Sequence, residues 1–115
     1  MTHTGGCHCG RIAFDVEGDI EQVIECNCSI CTKRGSLLWF VPREQLQLKT
    51  PESDLATYTF NKQKIRHHFC THCGCAPFAV GADKTGARKV AVNVRCLDGV
   101  DTAVLPVMPF DGRSL

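Results

Sequence analysis

The chain has 115 residues, 43% hydrophobic and 22% charged, and its formal net charge at pH 7 is +1. This length predicts one domain, spanning 1–115, with a modest core, and the near-neutral balance argues against a nucleic-acid or anionic-membrane partner. No apolar run approaches the roughly 20 residues that cross a bilayer. The N-terminal residues lack the basic-then-apolar order of a secretory signal, so a cytoplasmic location is expected.

In chain order, residues 11–16 alternate apolar and polar and stop at Gly18 and Asp19, the pattern of a strand. Residues 29–34 read as a helical turn after Cys28, with Gly35 as its stop. Residues 37–41 are a short apolar run closed by Pro42, and 42–46 suggest a second helical turn. Residues 56–60 are rich in β-formers, and 65–69 lead directly into Cys70. Strands are then expected over 76–81 and 89–94, with a glycine-containing turn between them. Short strands at this spacing predict an all-β fold with short helical turns.

The nine cysteines are the chemically informative residues, and seven of them fall into three groups. Cys7 and Cys9 form a C-x-C pair, Cys26, Cys28 and Cys31 a triplet, and Cys70 and Cys73 a C-x-x-C pair followed by Gly74. In a reducing compartment such clusters are read first as metal ligands rather than as a disulfide framework. In an extended segment Cys7 and Cys9 would share one face, with Gly5, Gly6 and Gly10 leaving the backbone free to turn around a metal. Together the two pairs supply the four thiolates of a closed, structural zinc site that ties the first strand to the late part of the chain. The triplet supplies only three, the ligand count of a catalytic zinc with one open position. That position can accept water or an external thiol, which zinc deprotonates near neutral pH. Cys75 and Cys96 are left over, and either could close the second site and make it purely structural.

Other candidates carry weaker signals. Lys33 and Arg34 lie just beyond the triplet and could bind the carboxylates of a thiol substrate, as could Lys62, Lys64 and Arg66. His67 and His68 point to opposite faces of a strand, where one could carry protons and a structural role is the default. Trp39 and Phe40 read first as core, and Asn93 and Asp98 as turn and backbone-pairing residues.

The order and residues of Gly6-Cys7-His8-Cys9-Gly10, Cys26-Asn27-Cys28-Ser29-Ile30-Cys31, Phe69-Cys70-Thr71-His72-Cys73-Gly74 and Asn93-Val94-Arg95-Cys96-Leu97-Asp98 resemble the glutathione-dependent formaldehyde-activating enzyme family. That family also includes the centromere protein V domain. The resemblance implies a zinc-stapled β-tent. It implies a structural zinc on Cys7, Cys9, Cys70 and Cys73 and a labile one on Cys26, Cys28 and Cys31. The activity it implies is condensation of formaldehyde with glutathione to S-hydroxymethylglutathione, a carbon–sulfur lyase reaction with the substrate thiolate at the triplet zinc. The chain departs from the family pattern at Cys96, where relatives often carry a small hydroxyl residue, and at the additional thiol of Cys75. The competing expectation is a non-catalytic zinc domain, for partner binding or metal buffering, in which both sites are structural.

Overall fold

The computed structural model describes residues 1–114. Among them the chain forms ten strands, one six-residue helix and five single-turn 3-10 segments, the all-β fold expected. The strands are β1 (Thr2–Gly6), β2 (Ala13–Glu17), β3 (Val23–Cys26), β4 (Leu38–Pro42), β5 (Leu46–Leu48), β6 (Leu55–Tyr58), β7 (Arg66–Cys70), β8 (Phe78–Ala82), β9 (Arg88–Asn93) and β10 (Val107–Phe110). The helix, α1 (Ser29–Arg34), ends where Gly35 adopts a left-handed φ of 68° and its N–H donates to the Cys31 carbonyl at 2.8 Å. The second expected helical turn is a 3-10 segment, Arg43–Gln45. No helix among the described residues is long and apolar enough to cross a membrane.

Two sheets carry the fold. β1, β2 and β5 form a small antiparallel sheet. The larger sheet has seven strands in the order β10-β3-β4-β9-β8-β7-β6. Its pairings are antiparallel except for β10, which lies parallel to β3 and pairs Phe110 with Cys26. β6 to β9 form a meander, and β4 joins its β9 edge out of sequence order.

The core lies where the two sheets share apolar faces. Phe14, Val16 and Leu46 of the small sheet cluster with Trp39, Val41, Phe78, Val80, Val90 and Val92 of the large one. The contact is centred on Phe14 and Phe78, whose rings meet edge to face with centroids 5.6 Å apart. Period-two alternation explains which residues enter: in β4, Trp39 and Val41 are buried while Phe40 between them is 54% exposed. The core expectation therefore holds for Trp39 and fails for Phe40, which the pleat turns outward.

Gly5 and Gly6 do not serve as flexible loop residues. Both lie in β1, and a Cβ on Gly5 would stand 2.6 Å from the Cys96 carbonyl oxygen and 2.9 Å from Leu97 Cδ2. The glycine lets β1 run against the segment after β9, where Gly5 bridges Leu97 and the Asp98 N–H donates to the Thr4 carbonyl at 2.8 Å. Asp98 also accepts from Thr4 Oγ1 at 3.1 Å, and Asn93 Nδ2 donates to the Ala76 carbonyl at 3.3 Å, so both residues pair backbone segments as expected. This seam sets the start of the chain beside the segment that follows β9.

If one core joins the sheets, Phe14→Ala should cost about 3–5 kcal/mol, because it opens a cavity between them. Urea denaturation measures this, and a loss below about 1 kcal/mol would show that the sheets are stabilised separately.

Candidate metal centre

The β1–β2 connection holds Cys7 and Cys9, and the turn after β7 holds Cys73, with Cys70 as the last residue of that strand. The four sulfur atoms all lie within 4.8 Å of one another. Cys9 Sγ is 3.6 Å from both Cys7 Sγ and Cys70 Sγ. A tetrahedral zinc with bonds of about 2.3 Å to sulfur sets its ligands about 3.8 Å apart, so the donor set fits that ion. Cys7 and Cys9 reach this arrangement from a turn and not from one face of a strand. The Cys7 N–H donates to the Ile12 carbonyl at 3.1 Å, and the Ile12 N–H returns a bond to Cys7 Sγ at 3.3 Å.

Backbone amides make the cluster receptive to negative charge. The N–H groups of His72 and Cys73 donate to Cys70 Sγ at 3.4 and 3.5 Å. Cys73 is held down at about 5, first by the Cys75 N–H and then by that of Cys9. Cys70 is also lowered, chiefly by the Cys73 N–H. At Cys9 the Arg11 N–H is the largest single influence and favours the thiolate. Loss of hydration and its hydrogen bonds to Cys70, Cys7 and Cys73 together outweigh it and push that thiol up to about 12. A cluster of this kind shares charge through S–H···S contacts, and a metal entering it displaces the remaining protons.

The triplet is built differently. Cys26 closes β3, Cys28 is the N-cap of α1, and Cys31 lies within the helix. One short strand-to-helix turn thus brings the three sulfurs within 4.8 Å of one another, all half-buried. The Cys28 N–H donates to Cys26 Sγ at 3.4 Å, and Thr32 Oγ1 fixes the turn by donating to the Asn27 carbonyl at 3.0 Å. Burial is the largest influence on Cys28 and opposes its ionisation. The N–H groups of Cys31 and Ile30 and the two neighbouring thiols overcome it and lower Cys28 below the usual thiol value. Cys31 is pushed up to about 12, first by burial and then by its hydrogen bond to Cys28 and the Cys28 charge.

Neither spare cysteine joins the triplet, whose ligand group has three members. Cys96 lies with the four-cysteine cluster instead. Asn93 Nδ2 donates to its sulfur at 3.7 Å, and its thiol is pushed up to about 11, first by burial and then by the charges of Cys75, Cys7 and Cys73. Cys75 backs the same cluster, its carbonyl accepting from the Cys70 N–H at 2.9 Å.

Arg34 lies over the Phe69 ring of β7, its guanidinium carbon 5.9 Å from the ring centroid. It is three residues after Cys31, so the two share a side of α1. Lys33 is exposed in the same turn, and Lys62 and Lys64 are exposed in the β6–β7 connection. Arg66 is exposed at the start of β7. His68 has the structural role expected by default, meeting Phe78 edge to face at 5.4 Å and sharing a 3.0 Å hydrogen bond with Thr57 Oγ1. His67 turns to the other face and stacks on Phe60 at 5.3 Å. Burial first, then the Arg34 charge, lowers its pKa.

Sequence reasoning missed the neighbours of the triplet at the far end of the chain. Asn27 Nδ2 donates to Asp111 Oδ1 at 2.9 Å, and Gly112 lies against Cys26 and Cys28. Asp111-Gly112 carries an ordinary turn signal, which says nothing of a partner more than eighty residues earlier.

Comparison with known proteins agrees with this geometry. The family model described as glutathione-dependent formaldehyde-activating enzyme matches residues 2–110, a stretch that includes every cysteine of both clusters. The crystal structure of a Rhodobacter sphaeroides protein is similar at a TM-score of 0.78 and 26% sequence identity, covering 94% of this chain and 100% of the other. The chain belongs to the glutathione-dependent formaldehyde-activating enzyme family.

Proposed function

We propose that this protein is a zinc-dependent carbon–sulfur lyase that joins glutathione to formaldehyde, giving S-hydroxymethylglutathione, and catalyses the reverse cleavage. The observation that carries this reading is the unequal ligand count: four cysteines at one cluster and three at the other. Cys7, Cys9, Cys70 and Cys73 would hold a structural zinc, and Cys26, Cys28 and Cys31 a second, exchangeable one. Zinc on three thiolates would supply an open position that deprotonates the substrate thiol and fixes its sulfur for addition to a carbonyl carbon. In the net reaction one carbon–sulfur bond forms and the thiol proton ends on the former carbonyl oxygen.

The chain's own residues have separate tasks in this reading. The amides of Ile30 and Cys31 favour ionisation of Cys28 and so would ease its use as a metal ligand. Arg34 is the residue best disposed to take a substrate carboxylate, since it shares a side of α1 with Cys31 and Phe69 supports its guanidinium. Lys33 would add charge to the same end of the helix. The nine free cysteines suit a reducing compartment, in keeping with a cytoplasmic setting. A purely structural second site would need a fourth ligand, and both spare thiols belong to the other cluster.

Cys28→Ser should abolish the acceleration of formaldehyde–glutathione exchange measured by NMR and lower bound zinc from about two to about one per chain, while the fold persists. Wild-type exchange rates in that variant would remove the mechanism. Cys70→Ser should instead lower the melting temperature by more than about 10 °C, because it opens the link between the sheets. An unchanged melting temperature would count against a structural zinc there. Arg34→Ala is expected to raise KM for glutathione about 3–10-fold with kcat within about twofold, the signature of lost ground-state binding. An unaltered KM would exclude the carboxylate role.

A further inference from the structure

Residues 110–114 run over the triplet and are joined to it at several points. The Phe110 carbonyl accepts from the Asn27 N–H at 3.1 Å, and the Arg113 N–H donates to Asn27 Oδ1 at 2.9 Å. Asp111 uses both carboxylate oxygens: Oδ1 accepts from Asn27 Nδ2 at 2.9 Å and Oδ2 from Ser114 Oγ at 2.5 Å. Asn27, the residue between two of the three ligands, is therefore bonded through its amide N–H and both ends of its side chain to one short segment. Between those bonds lies Gly112. A Cβ there would stand 2.5 Å from Cys26 Sγ and 3.2 Å from Cys28 Cβ, so any side chain would press on the ligands themselves. The segment Asp111–Ser114 also lies outside the stretch, 2–110, matched to the family.

We infer that this C-terminal segment is a clasp that holds Cys26 and Cys28 in ligating geometry, with Asp111 and Gly112 as positioning residues for the second metal. The physical need is specific. All three ligands come from a single turn of six residues, 26–31, so no long-range cross-link within the triplet resists its opening. Hydrogen bonds outside the ligand set orient ligands and set metal retention, and those of the 110–114 segment are made to Asn27. The missing side chain at Gly112 lets the clasp lie directly against the ligating turn without displacing Cys26.

The inference rests on the triplet holding zinc, so the test reads metal retention and not turnover. Zinc-loaded protein is mixed with a chromogenic chelator, and the fast and slow phases report release from the triplet and from the four-cysteine cluster. Gly112→Ala should speed the fast phase at least about 10-fold and Asp111→Ala about 3–10-fold, while Asp111→Asn, which keeps a carbonyl acceptor for Asn27, should stay within about twofold of wild type. The slow phase should be unchanged in all three. The visible spectrum of cobalt(II) bound at the triplet should change in Gly112→Ala and match wild type in Asp111→Asn. Wild-type release from both alanine variants would overturn the clasp. So would an equal speeding of both phases, which marks general loss of stability. A wild-type stoichiometry of one zinc would overturn the zinc reading itself and the clasp with it. If Gly112→Ala does not fold, the Asp111 pair decides the matter alone.

Discussion

Four sulfurs drawn together from opposite parts of the chain are the constraint on which this fold depends. Cys7 and Cys9 arrive on the connection of the small sheet, and Cys70 and Cys73 at the end of a strand of the large one. Bringing like, readily ionised groups this close is unfavourable unless something compensates. Backbone amides do so in part, at Cys70 and Cys73, and a divalent cation would complete it. Because the sulfurs come from segments of both sheets, a metal held by all four would fix how the sheets meet. The Phe14–Phe78 contact beneath and the Gly5–Leu97 seam beside it hold the sheets in one arrangement.

The second cluster uses the same chemistry for a different end. Its ligands follow one another through a strand end, a helix cap and a first helical turn, so assembling them asks little of the rest of the chain. The loop closed is short, and so is the entropic cost of closing it. For the same reason its metal would contribute little to the stability of the whole. The four-cysteine cluster spans more than sixty residues, so a metal there would close a much longer loop and contribute more, though only as the logarithm of loop length. Cys96 and Cys75 lie on the side of that larger cluster, where burial and neighbouring charge keep Cys96 protonated. Their location leaves the triplet one ligand short.

Local pattern made much of this legible from sequence. The strands of the meander were readable because alternation and β-formers act over a few residues, and α1 because Gly35 marks its end. The grouping of the cysteines carried both clusters. What escaped was whatever depends on a partner far along the chain. β1 was hidden because Gly5 and Gly6 suggest a loop, whereas Gly5 permits a close approach to the Cys96 carbonyl and the Leu97 side chain, and Gly6 to the Ile12 carbonyl. β10 was hidden because its four residues include Pro109 and its partner is the distant, parallel β3. Phe40 was misassigned as core because its apolar neighbours Trp39 and Val41 conceal the alternation that turns it outward.

The parallel pairing of β10 with β3 ties these observations together. β3 ends at Cys26, so whatever strand lies beside it leaves its next residues next to the triplet. An antiparallel neighbour would have carried the chain away from that end of β3. A parallel one delivers Phe110 opposite Cys26 and Asp111 within reach of Asn27. The choice of strand direction at a sheet edge therefore decides that residues 110–114 lie against the turn that holds the triplet. If the triplet holds a metal, the edge strand would restrain its ligands from outside the ligand set, through bonds made to Asn27.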